Sequence, residues 1–178
     1  TADHGGQTDK IALGAGEHHD GPWIKHLREK AKIKFVTSDT ALRVWLDGTA
    51  DDNAKKALAS LKEASRVTAI YEKQNKDGKY FYTQVYSAVD KEPKAFQAWS
   101  KAHDLELANT MASANGPDFI AMLADNVGYG LLGDHGGAQE HVQSIPMFIV
   151  GPLEISDLKK NSLRLVDIAG IVRKAFQF

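Results

Sequence analysis

The tetrapeptide Asp-His-Gly-Gly occurs twice in this chain, at residues 3–6 and at residues 134–137. An aspartate carboxylate beside a histidine imidazole offers an oxygen and a nitrogen ligand of the kind that zinc binds. The two glycines that follow allow the backbone to turn sharply and to approach a ligand closely. The repeat therefore predicts metal ligands from two distant parts of the chain. Two ordinary glycine turns that contain an acid and a histidine are the alternative.

Further acidic and histidine residues flank both tetrapeptides. His18 and His19 lie between two acids in the sequence EHHD at residues 17–20. Adjacent residues of an extended chain point to opposite sides, so a polar surface loop explains this group, with a role at a pocket edge as the alternative. His141 follows the second motif, as a solvated loop histidine or a group that faces a substrate. Asp134 is interpreted as a turn residue or as a carboxylate that orients an imidazole ligand.

Composition limits the classes of protein and partner. The chain has 178 residues, of which 43% are hydrophobic and 25% charged, as expected for one ordinary domain or a core with a small module. The net charge is −1 and no basic stripe stands out, which argues against binding to duplex nucleic acid. Apolar runs such as residues 145–150 are too short to span a bilayer. Cysteine is absent, so thiol chemistry and disulfides are excluded.

The middle of the chain has the pattern of a small two-layer module. Its hydrophobic periodicity predicts the order β-α-β-β-α-β, which is the split β-α-β arrangement. The turn between the second and third strands is predicted at residues 75–78 (NKDG). In the third strand, we expect Tyr80, Tyr82 and Tyr86 to share one face. The predicted strands cover residues 41–46, 67–73, 79–87 and 118–124, and the predicted helices end at residue 64 and cover residues 93–111.

The two ends of the chain carry the tetrapeptides and their own predicted elements. A short helix is predicted at residues 23–32, an apolar strand at residues 145–150 and an amphipathic helix at residues 167–176. In the last helix we expect inward positions for Ile168, Ile171, Val172 and Phe176. We therefore divide the chain into a core segment of residues 1–36 and 125–178, and an inserted α/β module of residues 37–124.

The residues around the tetrapeptides resemble the alkaline phosphatase superfamily. Residues 1–6 (TADHGG) look like a metal-binding strand end of that superfamily. Residues 133–137 (GDHGG), 145–152 (IPMFIVGP) and 164–169 (RLVDIA) together resemble the C-terminal part of type I phosphodiesterases and nucleotide pyrophosphatases. The resemblance implies an α/β fold: part of a parallel sheet with flanking helices, and an inserted split β-α-β (ferredoxin-like) module.

The resemblance also implies a function. It implies a two-metal centre for phosphoryl transfer, usually with two Zn²⁺ ions, and a phosphate ester or nucleotide-like small molecule as substrate. Asp3 and His4 would bind the metal that touches a serine or threonine nucleophile, and His135 would bind the other metal. In such a family, two cations clamp the attacking and leaving oxygens. Secreted or periplasmic localisation is typical of the relatives that the chain resembles.

One departure from the family pattern shapes the prediction. In the family, the nucleophile and the remaining metal ligands precede the first motif, whereas this sequence begins at Thr1. We therefore expect a C-terminal fragment that needs the missing N-terminal segment of the same protein and is inactive alone. A non-catalytic binding or structural chain is one alternative. A phosphomutase, which favours Mn²⁺, or a sulfatase, which favours Ca²⁺, is another.

Overall fold

Strands and helices alternate through most of the chain. The computed structural model describes residues 6–8, 11–12, 22–129, 133–135, 137–145, 164 and 167–176. In chain order, the elements are β1 (Gly6–Thr8), β2 (Ile11–Ala12), α1 (Pro22–Lys30), β3 (Ile33–Ser38), β4 (Ala41–Leu46), α2 (Asp51–Glu63), β5 (Val67–Lys76), β6 (Lys79–Ser87), a 3₁₀ turn (Val89–Lys91), α3 (Lys94–Asn109), β7 (Phe119–Leu123), β8 (Val127–Gly128), β9 (Gly133–His135), α4 (Glu140–Gln143) and α5 (Ile168–Phe176).

Five strands form an antiparallel sheet in the order β3-β4-β7-β5-β6. Helix α2 connects β4 to β5, and α3 connects β6 to β7. In each case an antiparallel strand lies between the two connected strands, which is the connectivity of a split β-α-β unit. Strand β3 adds a fifth strand at one edge and begins at Ile33, before the predicted start of the module at residue 37.

The hairpin between β5 and β6 closes through a two-residue turn. Asp77 and Gly78 both have positive φ angles, of 54° and 79°, which is the backbone of a type I′ turn. The Asn75 side-chain oxygen accepts a hydrogen bond from the Gly78 N–H at 3.0 Å. The predicted turn is therefore confirmed, and β5 continues to Lys76, closer to the turn than the predicted strand end at residue 73.

A bulge in the same hairpin changes which face its aromatic residues occupy. Ile70 pairs with Tyr86, whereas Tyr71 pairs with Gln84, so β6 carries one extra residue at this point. Tyr82 packs in the core on one side of the sheet, and Tyr86 packs against the core on the other. The expectation that Tyr86 shares a face with Tyr82 is wrong, because the extra residue reverses the alternation.

The two faces of the sheet are covered by different helices. Helices α1 and α2 cover one face, where residues spaced one helical turn apart, such as Ala57 and Leu61, are fully buried. Asn53 links α2 to the segment before β3 through two hydrogen bonds to the Lys32 backbone. The Lys32 N–H donates to the Asn53 Oδ1 at 2.6 Å, and the Asn53 Nδ2 donates to the Lys32 carbonyl oxygen at 2.9 Å. Helix α3 covers the other face, where Ala108 packs with Tyr71 and Tyr82.

Two short strand pairs join segments that are far apart in sequence. Strands β1 and β9 pair antiparallel, and β2 and β8 pair parallel. The mixed α/β class is as predicted, but the five-stranded sheet is antiparallel. Among the described residues, β2 and β8 form the one parallel pair. The strand predicted at residues 145–150 lies almost entirely outside the described part of the chain.

Chain packing separates two compact units, residues 4–144 and a second unit of residues 1–3 and 145–178. In the second unit, α5 confirms the predicted C-terminal helix. Ile168 and Ile171 are half-buried, but Val172 is 43% exposed. The inward position expected for Val172 is therefore wrong, because it lies about 100° around the helix from Ile171. In the parts of the chain described above, no helix has the length and apolar character needed to cross a membrane.

Candidate metal centre

The two tetrapeptides meet in the ribbon that β1 forms with β9. Gly6, the last residue of the first motif, pairs with His135, the second residue of the other motif. Gln7 pairs with Asp134, and Thr8 pairs with Gly133. Directly opposed residues of an antiparallel pair have Cα atoms about 5 Å apart. Segments separated by more than 120 residues in sequence are therefore adjacent at the positions that carry the motifs.

Several of the predicted site residues lie outside the described residues. These are Asp3, His4, His18 and His19, and only the backbone pairing of Asp134 and His135 is described. Within the described residues, no group of three or more histidine, aspartate or glutamate side chains is arranged to hold a metal ion.

Gly137, the last residue of the second motif, is required by close packing. A Cβ atom at this position would overlap the Gln139 side-chain oxygen and the Thr40 hydroxyl. Thr40 lies in the connection between β3 and β4, at the end of the five-stranded sheet. The absence of a side chain therefore allows the second motif to lie directly against this end of the sheet.

Gln139 fastens the segment after the second motif to the sheet. Its side chain is 1% exposed, and its Nε2 donates to the carbonyl oxygens of Thr40 at 3.1 Å, Leu123 at 3.3 Å and Ala124 at 3.4 Å. These carbonyls lie at the start of β4 and the end of β7. Buried polar groups normally need such partners, so the Gln139 amide group and the strand-end carbonyls satisfy each other.

Two more side chains hold the same segment from other elements. The Trp99 indole Nε1 on α3 donates to the Ala138 carbonyl oxygen at 2.7 Å. The Gln143 Nε2 on α4 donates to the Gly137 carbonyl oxygen at 2.6 Å. The segment Gly137–Gln139, called the anchor segment below, is thus bonded to the sheet, to α3 and to α4, immediately after the second motif.

His141 lies on α4 rather than in the open loop that the sequence indicated. Its Nδ1 is 3.8 Å from the Asp125 Oδ1, and both side chains are partly exposed. Helix α4 packs against β1, so His141 belongs to the neighbourhood of the ribbon. The sequence interpretation did not include Asp125. Its position directly after the apolar run at residues 119–124 was the signal that could have identified it.

A buried carboxyl lies on α3, one turn after Ser100. Asp104 is 2% exposed and accepts a hydrogen bond from the Ser100 hydroxyl. Burial raises the pKa of Asp104 from its ordinary value of 3.8 to about 6, partly offset by the Ser100 hydrogen bond and by the charge of His103. Burial also raises the pKa of Tyr71, and the negative charge of Asp104 adds to that shift.

Several aromatic side chains serve as packing contacts between elements. The Trp99 and His103 rings are 4.0 Å apart between centroids. Tyr129 is buried, its hydroxyl donates to the Ser65 carbonyl oxygen at 2.7 Å, and its ring packs edge-on against Trp23. These contacts make Tyr129 a packing residue of the segment that follows β8.

Comparison of the chain with protein-family models, with characterised proteins and with solved structures found no match.

Proposed function

We propose that this chain forms part of a two-zinc phosphoryl-transfer hydrolase that resembles the type I phosphodiesterases and nucleotide pyrophosphatases of the alkaline phosphatase superfamily. The observation that carries this proposal is the pairing of Gly6 with His135 in the β1–β9 ribbon. Aspartate and histidine are the ligand types that zinc prefers, and a catalytic zinc keeps one position open for water or substrate.

Covalent geometry limits how far the first motif can lie from the second. His4 is two residues before Gly6, and consecutive Cα atoms are about 3.8 Å apart, so His4 stays within about 8 Å of Gly6. Gly6 itself pairs with His135. The ions of a two-metal centre lie about 4 Å apart, so the proposal requires the His4 and His135 side chains to converge on one centre.

The proposal assigns Asp3 and His4 to one Zn²⁺ and His135 to the other. Two such ions supply a clamp for the attacking and leaving oxygens of a phosphate ester. The parallel pairing of β2 with β8 supports a partial parallel sheet beside the ribbon, as in the superfamily. Three ligands are too few to close two zinc sites. Full activity on a nucleotide-like substrate therefore needs ligands and a nucleophile from outside this set.

Zinc binding to matched histidine variants tests the proposal. We expect the 178-residue chain to bind Zn²⁺ weakly in equilibrium dialysis, and His135→Ala to lose that binding. His26→Ala is the control, because His26 lies on α1 and pairs with Glu63 at 3.6 Å, away from the ribbon. Equal zinc binding by the wild type and by His135→Ala would overturn the assignment. Hydrolysis of a nitrophenyl phosphodiester by this chain alone would overturn the requirement for further groups.

One observation favours a second candidate function, a non-catalytic binding or structural chain. Gly137 has a packing role against Thr40 and Gln139 that requires no metal. If the second motif has only this packing role, dialysis should detect no zinc bound to the wild-type chain. Gly137→Ala should still destabilise the fold. Retention of zinc by the wild type and its loss in His135→Ala would exclude this candidate.

A further inference from the structure

We infer that α3 of the inserted module positions the second metal motif, and that Trp99 is the positioning residue. The inference rests on the proposed function, since it concerns how firmly His135 is held for a metal. It adds a role for the module, which the sequence interpretation treated as an insertion between two metal segments.

The contact that carries the inference is a single hydrogen bond between distant elements. The Trp99 Nε1 donates to the Ala138 carbonyl oxygen at 2.7 Å, across 39 positions of sequence. Ala138 is buried and lies three residues after His135. The Trp99 indole also packs against the tilted ring of His103, one turn along the same helix, with ring centroids 4.0 Å apart.

The rest of the anchor segment is already fixed by other bonds. Gln139 bonds it to the ends of β4 and β7, and Gln143 bonds the Gly137 carbonyl from α4. Those bonds come from residues close in sequence to the segment itself. Trp99 provides the side-chain bond from the module helix, so it is the contact through which α3 affects the orientation of the strand that carries His135. Residues that hold ligands in place typically change metal affinity when they are removed.

The chain contains a matched control for this bond. Trp45 on β4 also donates its indole N–H to a backbone carbonyl, that of Asn115, at 2.9 Å. This bond lies at the other end of the sheet, because Trp45 is near the end of β4, whereas Gln139 bonds the residue that precedes β4. Trp45→Phe and Trp99→Phe therefore remove the same kind of hydrogen bond, and only Trp99→Phe removes it beside the second motif.

The test measures Zn²⁺ affinity of the full 178-residue chain by competition with a chromophoric chelator. We expect Trp99→Phe to bind Zn²⁺ about tenfold more weakly than the wild type, at the low end of the range for residues that support metal ligands. Trp45→Phe should bind Zn²⁺ as the wild type does, with a similar fall in Tm. Equal affinity in all three proteins, or an equal loss in both variants, would overturn the inference and leave the proposed function intact.

A second readout leaves Trp99 in place. The chain has three tryptophans, so Trp23→Phe combined with Trp45→Phe makes Trp99 the sole indole fluorophore. Zinc should change its emission, and adding His135→Ala should abolish that change. An unchanged emission at a zinc concentration that dialysis shows to be saturating would overturn the inference. Absence of zinc binding by dialysis would overturn the proposed function and the inference together.

Discussion

The two faces of the five-stranded sheet differ in what they bury. Under α1 and α2, the core is aliphatic and aromatic, with fully buried residues such as Leu27, Leu42 and Leu61. Under α3, the core also contains a carboxyl, that of Asp104, with Ser100 as its hydrogen-bond donor. The polar face is also the one whose helix contacts the anchor segment, through Trp99.

This difference indicates that the two faces contribute differently to the stability of the fold. Apolar burial stabilises a fold in proportion to the area removed from water, so the face under α1 and α2 supplies stability. A buried carboxylate lowers stability unless its partners offset the loss of hydration. The less favourable buried group therefore lies on the face beside the proposed metal motif, and such local costs are common at functional sites.

The largest expected effect is on the apolar face. Leu61→Ala removes a fully buried side chain on α2 and should lower the free energy of unfolding by about 3–5 kcal/mol. Leu105→Ala on α3 is the control, since Leu105 is 47% exposed and its loss should cost less than about 0.5 kcal/mol. Urea denaturation measures both changes. Similar losses in the two variants would contradict the full burial of Leu61 in the core under α2.

The next effect is a gain in stability instead of a loss, and its size depends on pH. Burial raises the pKa of Asp104 from 3.8 to about 6, so the folded state resists ionisation. The protonated group therefore stabilises the fold most below pH 4, and that contribution is lost as the pH rises through 6. Asp104→Asn should be more stable than the wild type by about 2–3 kcal/mol at pH 7. The gain should shrink towards pH 4 in denaturation series.

If the difference in unfolding free energy between Asp104→Asn and the wild type does not change with pH, the pKa of Asp104 is not raised by burial. Asp52→Asn is the matched control, since the Asp52 carboxylate is exposed and its pKa is lowered by a hydrogen bond from Lys56. It should leave stability at pH 7 almost unchanged, because exposed ion pairs contribute little.

A smaller effect is expected in the anchor segment. Gly137→Ala places a methyl group against Gln139 and Thr40, and Gln139 has little freedom to move because it bonds strand-end carbonyls. We expect a loss of about 1–3 kcal/mol, measured by thermal denaturation. Gly170→Ala in α5 is the control, since its added methyl meets no neighbouring atom. Wild-type stability of Gly137→Ala would contradict the close packing of this motif.

The smallest effect compares one hydroxyl on each face. The Tyr82 hydroxyl donates to the Pro117 carbonyl oxygen at 2.6 Å under α3, and the Tyr129 hydroxyl donates to that of Ser65 at 2.7 Å on the other side. Tyr82→Phe and Tyr129→Phe should each cost about 1 kcal/mol. Equal losses mean that the faces differ through Asp104 and not through their tyrosines. A loss of stability in only one variant would show that the two faces also differ in their tyrosine hydrogen bonds.

Local pattern was sufficient to predict the elements of the module. Alternation of apolar residues identified β4 and β6, a continuous apolar run identified β7, and helical periodicity identified α2 and α3. These signals depend on neighbouring residues, which is why they can be read from the chain. The bulge that moves Tyr86 to the other face could not be read, because it depends on how β6 is paired with β5.

The candidate site was predicted only in part. Residue types identified the tetrapeptides, but no local signal predicts that Gly6 lies opposite His135, since that pairing joins the two ends of the chain. Gln139, Trp99 and Asp125 were missed for the same reason. Each has an ordinary residue type whose importance comes from the carbonyl or imidazole that it meets across the fold.

The sequence by itself determined the β-α-β-β-α-β order of the module, the hairpin turn at Asp77 and Gly78, and the repeated motif, because these depend on backbone preference and side-chain chemistry over a few residues. The tertiary structure decided the antiparallel sheet order, the burial of Asp104 and the bonds that hold the anchor segment. Those features arise from contacts between residues far apart in the chain, where packing outweighs local preference.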